Sequence, residues 1–264
     1  MRFVKMQGLG NDYIYLDCLA ETPEDLPGLA RRLSDRHFGV GGDGLICICP
    51  SEAADFRMRM FNADGSEGLM CGNGIRCVGK FVYDRGLTSE TALRVETAAG
   101  VKRLTLQVEG HKAVAATVDM GAPELEPPVT VFVKGKPYTG RPVSLGNPHL
   151  VVYREDVETL PLAELGPEFE SCPLFPHRVN TEFVRVEDRT TLTMRVWERG
   201  SGETLACGTG ACAAAAAAMA DGLTERRVTV RLPGGELRVA WDGGREPVYM
   251  TGPAVTVFEG TVDI

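Results

Sequence analysis

Two stretches of this sequence match each other without a gap: Met58-Arg-Met-Phe-Asn-Ala-Asp-Gly-Ser-Glu-Gly-Leu-Met-Cys-Gly-Asn-Gly74 and Met194-Arg-Val-Trp-Glu-Arg-Gly-Ser-Gly-Glu-Thr-Leu-Ala-Cys-Gly-Thr-Gly210. They lie 136 residues apart (194 − 58) and share Met, Arg, Glu, Leu, Cys and the two glycines of Cys-Gly-x-Gly. The same offset joins Gly10-Asn11 to Gly146-Asn147. A repeat of this length indicates a duplicated domain rather than a short solenoid unit.

A second similarity marks the end of each half, where Met120-Gly121-Ala122-Pro123 resembles Met250-Thr251-Gly252-Pro253. These are interpreted as the points where the chain leaves a half. The sequence therefore predicts an N-terminal domain of residues 1–118 plus 254–264, which carries Cys71. It predicts a C-terminal domain of residues 119–253, which carries Cys207. In this hypothesis the last segment of the chain crosses back to the first half.

Each half contains one clear helix directly after its Cys-Gly-x-Gly motif, predicted at 72–85 and 208–221 and followed by a glycine suited to a C-cap. Shorter helices are predicted at 25–36 and 162–170. Most of the remaining sequence alternates apolar and polar residues between Gly and Pro turns, which is typical of strands. The predicted fold class is α+β: two pseudo-symmetric domains from a duplication, each a curved, mostly antiparallel β-sheet or barrel wrapped around a central α-helix.

The composition is that of a soluble globular protein, with 264 residues, 44% of them hydrophobic, and a net charge of −8. No block of Lys or Arg stands out, which argues against nucleic acid or an anionic membrane as a partner. No stretch is long enough to cross a bilayer, and glycines from Gly8 onward interrupt the N-terminus too early for a signal peptide. A cytoplasmic location is therefore expected.

The eight cysteines show neither C-x-x-C nor a Cys/His spacing that suits zinc, so no metal is expected. Two of them, Cys71 and Cys207, precede the two clear helices. The others are interpreted as reduced structural thiols: Cys18, Cys47, Cys49, Cys77, Cys172 and Cys212.

A cysteine followed by glycines at a helix start combines two chemical properties. The unpaired N–H groups and the positive end of the helix dipole bind an anion, and the same field favours a thiolate. One such motif is more often a core cysteine than a catalytic one. Two copies at equivalent places could flank one α-carbon, so that one sulfur removes its proton and the other protonates the opposite face. Such an arrangement inverts a stereocentre without a cofactor.

Six motifs together resemble the diaminopimelate epimerase family, and the resemblance covers essentially the whole chain. They are Gly8-Leu9-Gly10-Asn11-Asp12, Phe61-Asn62-Ala63-Asp64-Gly65-Ser66-Glu67, Cys71-Gly72-Asn73-Gly74-Ile75-Arg76-Cys77, Gly146-Asn147-Pro148-His149, Glu198-Arg199-Gly200 and Glu203-Thr204-Leu205-Ala206-Cys207-Gly208-Thr209-Gly210.

The resemblance implies interconversion of LL- and meso-diaminopimelate, in lysine and peptidoglycan precursor synthesis, by a homodimer that needs neither pyridoxal phosphate nor a metal. Cys71 and Cys207 would be the acid and base, and His149 would tune or orient a thiol. The chain departs from some family members at Gly44, where they carry a substrate-contacting glutamine; a backbone role there stays open. The implied substrate-binding residues are Asn11, Asn62, Gly72, Asn73, Gly74, Asn147, Asn180, Glu198, Arg199, Gly208 and Thr209.

Other interpretations remain open from the residues alone. Asn62 and Asn180 could stabilise turns, and Arg199 could be a solvated surface charge. The chain could instead be another two-cysteine racemase, acting on proline, hydroxyproline or histidine. A non-enzymatic thiol redox or zinc protein is a further alternative, against which the missing C-x-x-C argues.

Overall fold

The computed structural model describes residues 1–263. The contacts within the chain divide it into two units. Unit 1 comprises Met1–Val118 with Gly252–Ile264, and unit 2 comprises Asp119–Thr251. Each is dominated by strands and contains two α-helices. The α+β class predicted from the sequence is confirmed. None of the helices among residues 1–263 is long and apolar enough to cross a bilayer.

Unit 1 is a mixed sheet with its strands paired in the order β19, β1, β2, β3, β4, β6, β7, β8, and with β5 also paired to β4. Its elements are β1 (Arg2–Gly8), β2 (Asn11–Asp17), α1 (Leu26–Ser34), β3 (Gly44–Cys49), β4 (Phe56–Asn62), β5 (Glu67–Gly68), α2 (Gly72–Asp84), β6 (Ala92–Thr97), β7 (Gly100–Glu109), β8 (Lys112–Asp119) and β19 (Val255–Thr261).

Unit 2 repeats this order of helices and strands, with two additional strands at its start and a 3-10 helix before its first α-helix. Its sheet runs through β11, β12, β13, β14, β16, β17 and β18, with β9 and β10 paired to β11 and β15 to β14. Its elements are β9 (Glu124–Leu125), β10 (Val129–Val133), β11 (Lys136–Ser144), β12 (Pro148–Tyr153), a 3-10 helix (Val157–Thr159), α3 (Leu162–Glu170), β13 (Asn180–Asp188), β14 (Thr191–Glu198), β15 (Gly202–Thr204), α4 (Gly208–Ala220), β16 (Arg227–Leu232), β17 (Gly235–Ala240) and β18 (Tyr249–Pro253).

Strand register repeats at the offset of the sequence motif. In unit 1 the parallel pair β2–β3 places Tyr13 opposite Gly44, and in unit 2 the parallel pair β12–β13 places His149 opposite Asn180. Both members of the second pair lie 136 residues after those of the first (149 − 13 and 180 − 44). The paired hairpins β4–β5 and β14–β15 carry equivalent ion pairs, Arg59–Glu67 and Arg195–Glu203, each at 2.8 Å.

The helices α2 and α4 begin at the same place in the repeat, each with a cysteine as N-cap. In α2 the buried apolar face is formed by large side chains such as Ile75, Val78 and Phe81. In α4 the residues from Ala211 to Ala218 are all fully buried. Because alanine projects no further than Cβ, neighbouring side chains pack close to this helix, which has a high intrinsic propensity to form.

The predicted helix at 162–170 is confirmed, while the others end earlier than predicted. α2 and α4 each stop one residue sooner, since Arg85 and Asp221 are their C-caps. The helix predicted at 25–36 is α1, Leu26–Ser34. Asp25 is its N-cap, accepting from the Gly28 N–H, and Asp35 accepts from the N–H groups of the following turn instead of continuing the helix.

Ala215→Leu should destabilise unit 2, because the added atoms have no space beside the fully buried α4. Overpacking of this kind costs about 1–3 kcal/mol, and urea unfolding followed by circular dichroism measures it. Ala220→Leu, at the exposed end of the same helix, should change the free energy of unfolding by less than about 0.5 kcal/mol. Equal losses in the two variants would contradict tight packing around α4.

Candidate active site

Cys71 lies at the start of α2, where its sulfur is placed between a donor and an acceptor. The Gly74 N–H donates to Sγ at 3.2 Å, in the position that an N-cap side chain normally occupies. The thiol itself faces the Asn11 amide oxygen at 3.1 Å. The residue is only partly buried. The structure therefore brings together Cys71 and Asn11, two residues predicted for the site.

Behind Asn11 lies an ionic network contributed by the segment that leads into β3. The Asn11 amide nitrogen donates to Asp43 at 2.7 Å, and Arg36 bridges Asp12 and Asp43 at 2.8 and 3.0 Å. Burial disfavours ionisation of Asp12, but the hydrogen bonds from Arg36 and Lys5 outweigh it and hold the pKa of Asp12 below its usual value. Burial raises the pKa of Asp43. The sequence offered no signal for Asp43 beyond its place among glycines.

The remaining predicted residues of unit 1 lie in the first turn of α2 and in the β4–β5 hairpin. Gly72, Asn73 and Gly74 are buried in the first turn of α2. Asn62 donates from its amide to the Ser66 hydroxyl at 2.9 Å, and its backbone N–H bonds to the Ser66 carbonyl. Asn62 therefore stabilises a turn, which is the alternative role considered for it from the sequence. Its contact with substrate stays a prediction.

Cys207 has the same backbone position at the start of α4 but different surroundings. The Gly210 N–H points at its sulfur at 3.4 Å, and the Thr209 hydroxyl lies at 3.5 Å. Burial raises the pKa of the Cys207 thiol well above its usual value, and the negative charges of Glu198 and Glu182 raise it further. Near neutral pH this sulfur is therefore a thiol.

A buried histidine–glutamate pair lies close to Cys207. The His149 Nδ1 and Glu182 Oε1 atoms are 2.7 Å apart, and both side chains are fully buried. The other ring nitrogen of His149 lies 3.1 Å from the Asn147 oxygen, and the Asn147 amide donates to the Thr209 hydroxyl at 3.3 Å. A chain of hydrogen bonds thus connects Glu182 to the residue that contacts Cys207.

Glu182 was not among the predicted site residues, although the repeat contains a signal for it. Subtracting 136 from 182 and 149 gives Ile46 and Tyr13, so unit 2 has an acid and an imidazole where unit 1 has an apolar side chain and a phenol. A Cβ on Gly210 would lie 2.6 Å from the Glu182 carboxylate. A larger residue at position 210 would therefore displace this buried carboxylate.

The predicted distal residues Asn180, Glu198 and Arg199 make hydrogen bonds with one another or with other groups of unit 2. Asn180 accepts from the Arg199 N–H at 2.8 Å and donates to the Pro148 carbonyl at 3.3 Å. The exposed Arg199 guanidinium donates to the His177 carbonyl at 2.9 Å. Burial raises the pKa of Glu198, and the Thr204 hydroxyl hydrogen-bonds to its carboxyl group.

Within residues 1–263, no group of three or more His, Cys, Asp and Glu side chains is placed to hold a metal ion.

Comparison with known proteins gives one family. The family model described as "Diaminopimelate epimerase" matches residues 3–126 and 142–257. A diaminopimelate epimerase of Acetivibrio thermocellus is 56% identical over 277 aligned positions, which cover 100% of this chain and 99% of the relative.

Solved structures share the fold at low sequence identity. A PhzF-family phenazine biosynthesis protein of Bacillus anthracis has a TM-score of 0.77 at 19% identity, covering 100% of this chain and 99% of that one. A probable proline racemase from Agrobacterium radiobacter K84 has a TM-score of 0.74 at 15% identity, covering 100% and 93%.

Glu198→Gln should let the Cys207 thiolate form at lower pH. A neighbouring negative charge disfavours a thiolate, so its removal lowers the pKa of Cys207 while the cost of burial remains. Ultraviolet titration of thiolate, taken as the difference from the same chain carrying Cys207→Ser, measures this.

The matched control is Glu203→Gln, an exposed carboxylate on β15 that pairs with Arg195. This variant should leave unchanged the pH at which the Cys207 thiolate forms. An unchanged titration in Glu198→Gln, or an equal change in both variants, would refute the electrostatic coupling.

Proposed function

The chain belongs to the diaminopimelate epimerase family, and from this premise we propose that Cys71 and Cys207 are the acid and base with which it inverts the α-carbon of diaminopimelate. As a member of that family the chain is an isomerase that interconverts LL- and meso-diaminopimelate, a step in lysine biosynthesis. The observation that supports the two cysteines most directly is their equivalence: each is the N-cap of a helix, with its sulfur facing the N–H three residues on.

The reaction requires both sulfurs to reach one α-carbon in the substrate complex. One thiolate takes the α-proton and becomes a thiol, while the other thiol gives its proton to the opposite face and becomes a thiolate. Protons and charge therefore balance. After one turnover the thiol and the thiolate have changed places, and the starting state is restored by the reverse reaction or by proton exchange with solvent. The N–H groups of the first turns at Gly72, Asn73, Gly208 and Thr209 bind the reacting carboxylate and stabilise its developing charge, while the Gly74 N–H faces the Cys71 sulfur.

The two sulfurs differ in the free enzyme. The raised pKa of Cys207 makes it the proton donor near neutral pH. Cys71 receives an N–H from Gly74 and is partly exposed, so it supplies the thiolate that starts the reaction. His149 is hydrogen-bonded to Glu182 and Asn147, and Asn147 in turn contacts Thr209. Through this chain of contacts His149 tunes or orients the Cys207 thiol.

Recognition of the distal amino acid end is assigned to polar side chains from both units. The exposed Arg199 guanidinium can bind a carboxylate bidentately, and Glu198 can pair with an ammonium group. Proline offers no second amino acid end, so these two residues favour diaminopimelate over the proline-type alternative. The full proposed set is Asn11, Asn62, Asn147, Asn180, Glu198 and Arg199.

The protein is further proposed to act in the cytoplasm as a homodimer. All eight cysteines are free thiols in the structure, as in proteins of a reducing compartment. The strand β19 pairs with β1 along one edge and exposes apolar side chains: Val255 at 41%, Val257 at 54% and Phe258 at 46%. A second copy of the chain would cover this surface.

Cys71→Ala and Cys207→Ala should each lower the turnover of LL-diaminopimelate by at least about 10²-fold, since each removes an acid–base group. Formation of the meso isomer and incorporation of α-deuterium from D2O measure the loss. Cys77→Ala and Cys212→Ala, which alter buried thiols of the same two helices, are the matched controls and should retain turnover.

Near wild-type turnover in either catalytic variant would refute the acid–base assignment. Faster turnover of proline or histidine than of diaminopimelate by the unmodified protein would instead favour the other two-cysteine racemases.

Val257→Lys should convert the dimer to monomer, because a charge on the most exposed large apolar side chain of β19 opposes burial of that strand against a second copy. Sedimentation velocity measures the molar mass. Val101→Lys, on the exposed face of β7 in the same unit, is the control and should leave the mass unchanged. A dimer that persists in Val257→Lys would rule out this strand as the interface.

A further inference from the structure

The carboxylate of Asp43 is the acceptor for several groups around the start of β2. Its Oδ2 atom accepts from the Asn11 amide at 2.7 Å and from the Asp12 N–H at 3.0 Å. Its Oδ1 atom accepts from Arg36 at 3.0 Å. The charged groups around it are therefore Arg36 and Asp12, with Lys5 ion-paired to Asp12 at 2.7 Å.

This contact fixes which way the Asn11 amide points. A carboxylate can only accept hydrogen bonds, so the amide nitrogen of Asn11 must face Asp43. The amide oxygen then faces the opposite way, where it lies 3.1 Å from the Cys71 sulfur. Rotating the amide by half a turn would bring two oxygens together at Asp43 and is disfavoured.

The orientation of Asn11 bears on the charge of Cys71. An oxygen can accept from the S–H of a thiol but gives nothing to a thiolate, so it favours the protonated form. The Gly74 N–H, at 3.2 Å, favours the thiolate. The proton on Cys71 is therefore influenced by a backbone donor and by an acceptor whose direction Asp43 determines, and the buried Tyr15 phenol is a further titratable neighbour.

Asp43 keeps its place in the fold through its backbone, independently of its carboxylate. Its N–H donates to the Asp12 carbonyl at 2.7 Å, and its carbonyl accepts from the Ala63 N–H at 3.0 Å. A change of the side chain therefore leaves the junction of β2, β3 and the β4–β5 hairpin connected.

We propose that Asp43 is a positioning residue for the chemistry of Cys71: its carboxylate holds the Asn11 amide with the oxygen toward the sulfur and thereby limits the thiolate fraction of Cys71. This rests on the proposed function only in giving the sulfur an acid–base role. The hydrogen-bond relay from Asp43 through Asn11 to Cys71 is a property of unit 1 by itself.

The test is the rate at which iodoacetamide alkylates Cys71 as a function of pH, because the thiolate is the reactive form. Trypsin releases this cysteine in the peptide Met60–Arg76, which contains no other, so mass spectrometry reads it separately. In Asp43→Ala the amide is free to turn its NH2 group to the sulfur. We expect alkylation at pH 7 roughly three- to tenfold faster, with the whole profile moved to lower pH.

Two control variants separate positioning from general disturbance of the segment. Asp43→Asn retains an acceptor oxygen for the Asn11 amide and should stay within about twofold of the wild-type rate. Arg36→Ala removes the ion pairs to Asp12 and Asp43 but keeps the hydrogen bond between Asp43 and Asn11. Its alkylation rate should also stay within about twofold of the wild-type rate. Circular dichroism checks that all three variants are folded.

An alkylation profile of Cys71 that Asp43→Ala leaves unchanged would overturn the proposal, as would an equal change in Arg36→Ala. The pH profile of kcat/KM for diaminopimelate tests the acid–base role separately. If alkylation of Cys71 moves in Asp43→Ala while the acidic limb of kcat/KM does not, the relay stands and the assignment of Cys71 as the base fails.

Discussion

The first turn of an α-helix has backbone N–H groups without partners inside the helix, and in each half of this protein a cysteine sulfur accepts one of them. This hydrogen bond constrains the residues around each helix start. A Cβ at Gly74 or Gly210 would lie 2.6–2.7 Å from a buried side chain of a neighbouring strand, so a larger residue three positions on would displace that side chain.

The two copies share a backbone but differ in the chemistry placed beside the sulfur. Cys71 is partly exposed and faces an amide oxygen, whereas Cys207 is buried and faces two carboxylates. A two-base reaction needs unlike protonation states at its two groups. Duplication accounts for the like geometry, and divergence of the neighbouring side chains accounts for the unlike surroundings of the two sulfurs. The differences lie in side chains carried by strands: Asn11 beside Cys71, and Glu182 and Glu198 near Cys207.

Much of this arrangement is predictable from sequence because it depends on local rules. The repeat offset, the helix starts at Cys71 and Cys207 and the glycine stops all follow from backbone chemistry that is readable along the chain. Asp43 and Glu182 were not predicted, since their partners lie 32 and 33 residues away and no local pattern announces them. The end of α1 was placed too late because Asp35 caps the following turn. The domain limits at 118/119 and 253/254, and the contacts of the polar residues with substrate, stay predictions.

The buried Glu182 makes the two halves of the chain chemically different. In the repeat, Glu182 corresponds to Ile46 and His149 corresponds to Tyr13. A chimera assembled from two copies of the first half would retain both helix starts and both sulfurs, yet neither sulfur would have an ionisable neighbour of this kind. The halves have therefore ceased to be interchangeable modules.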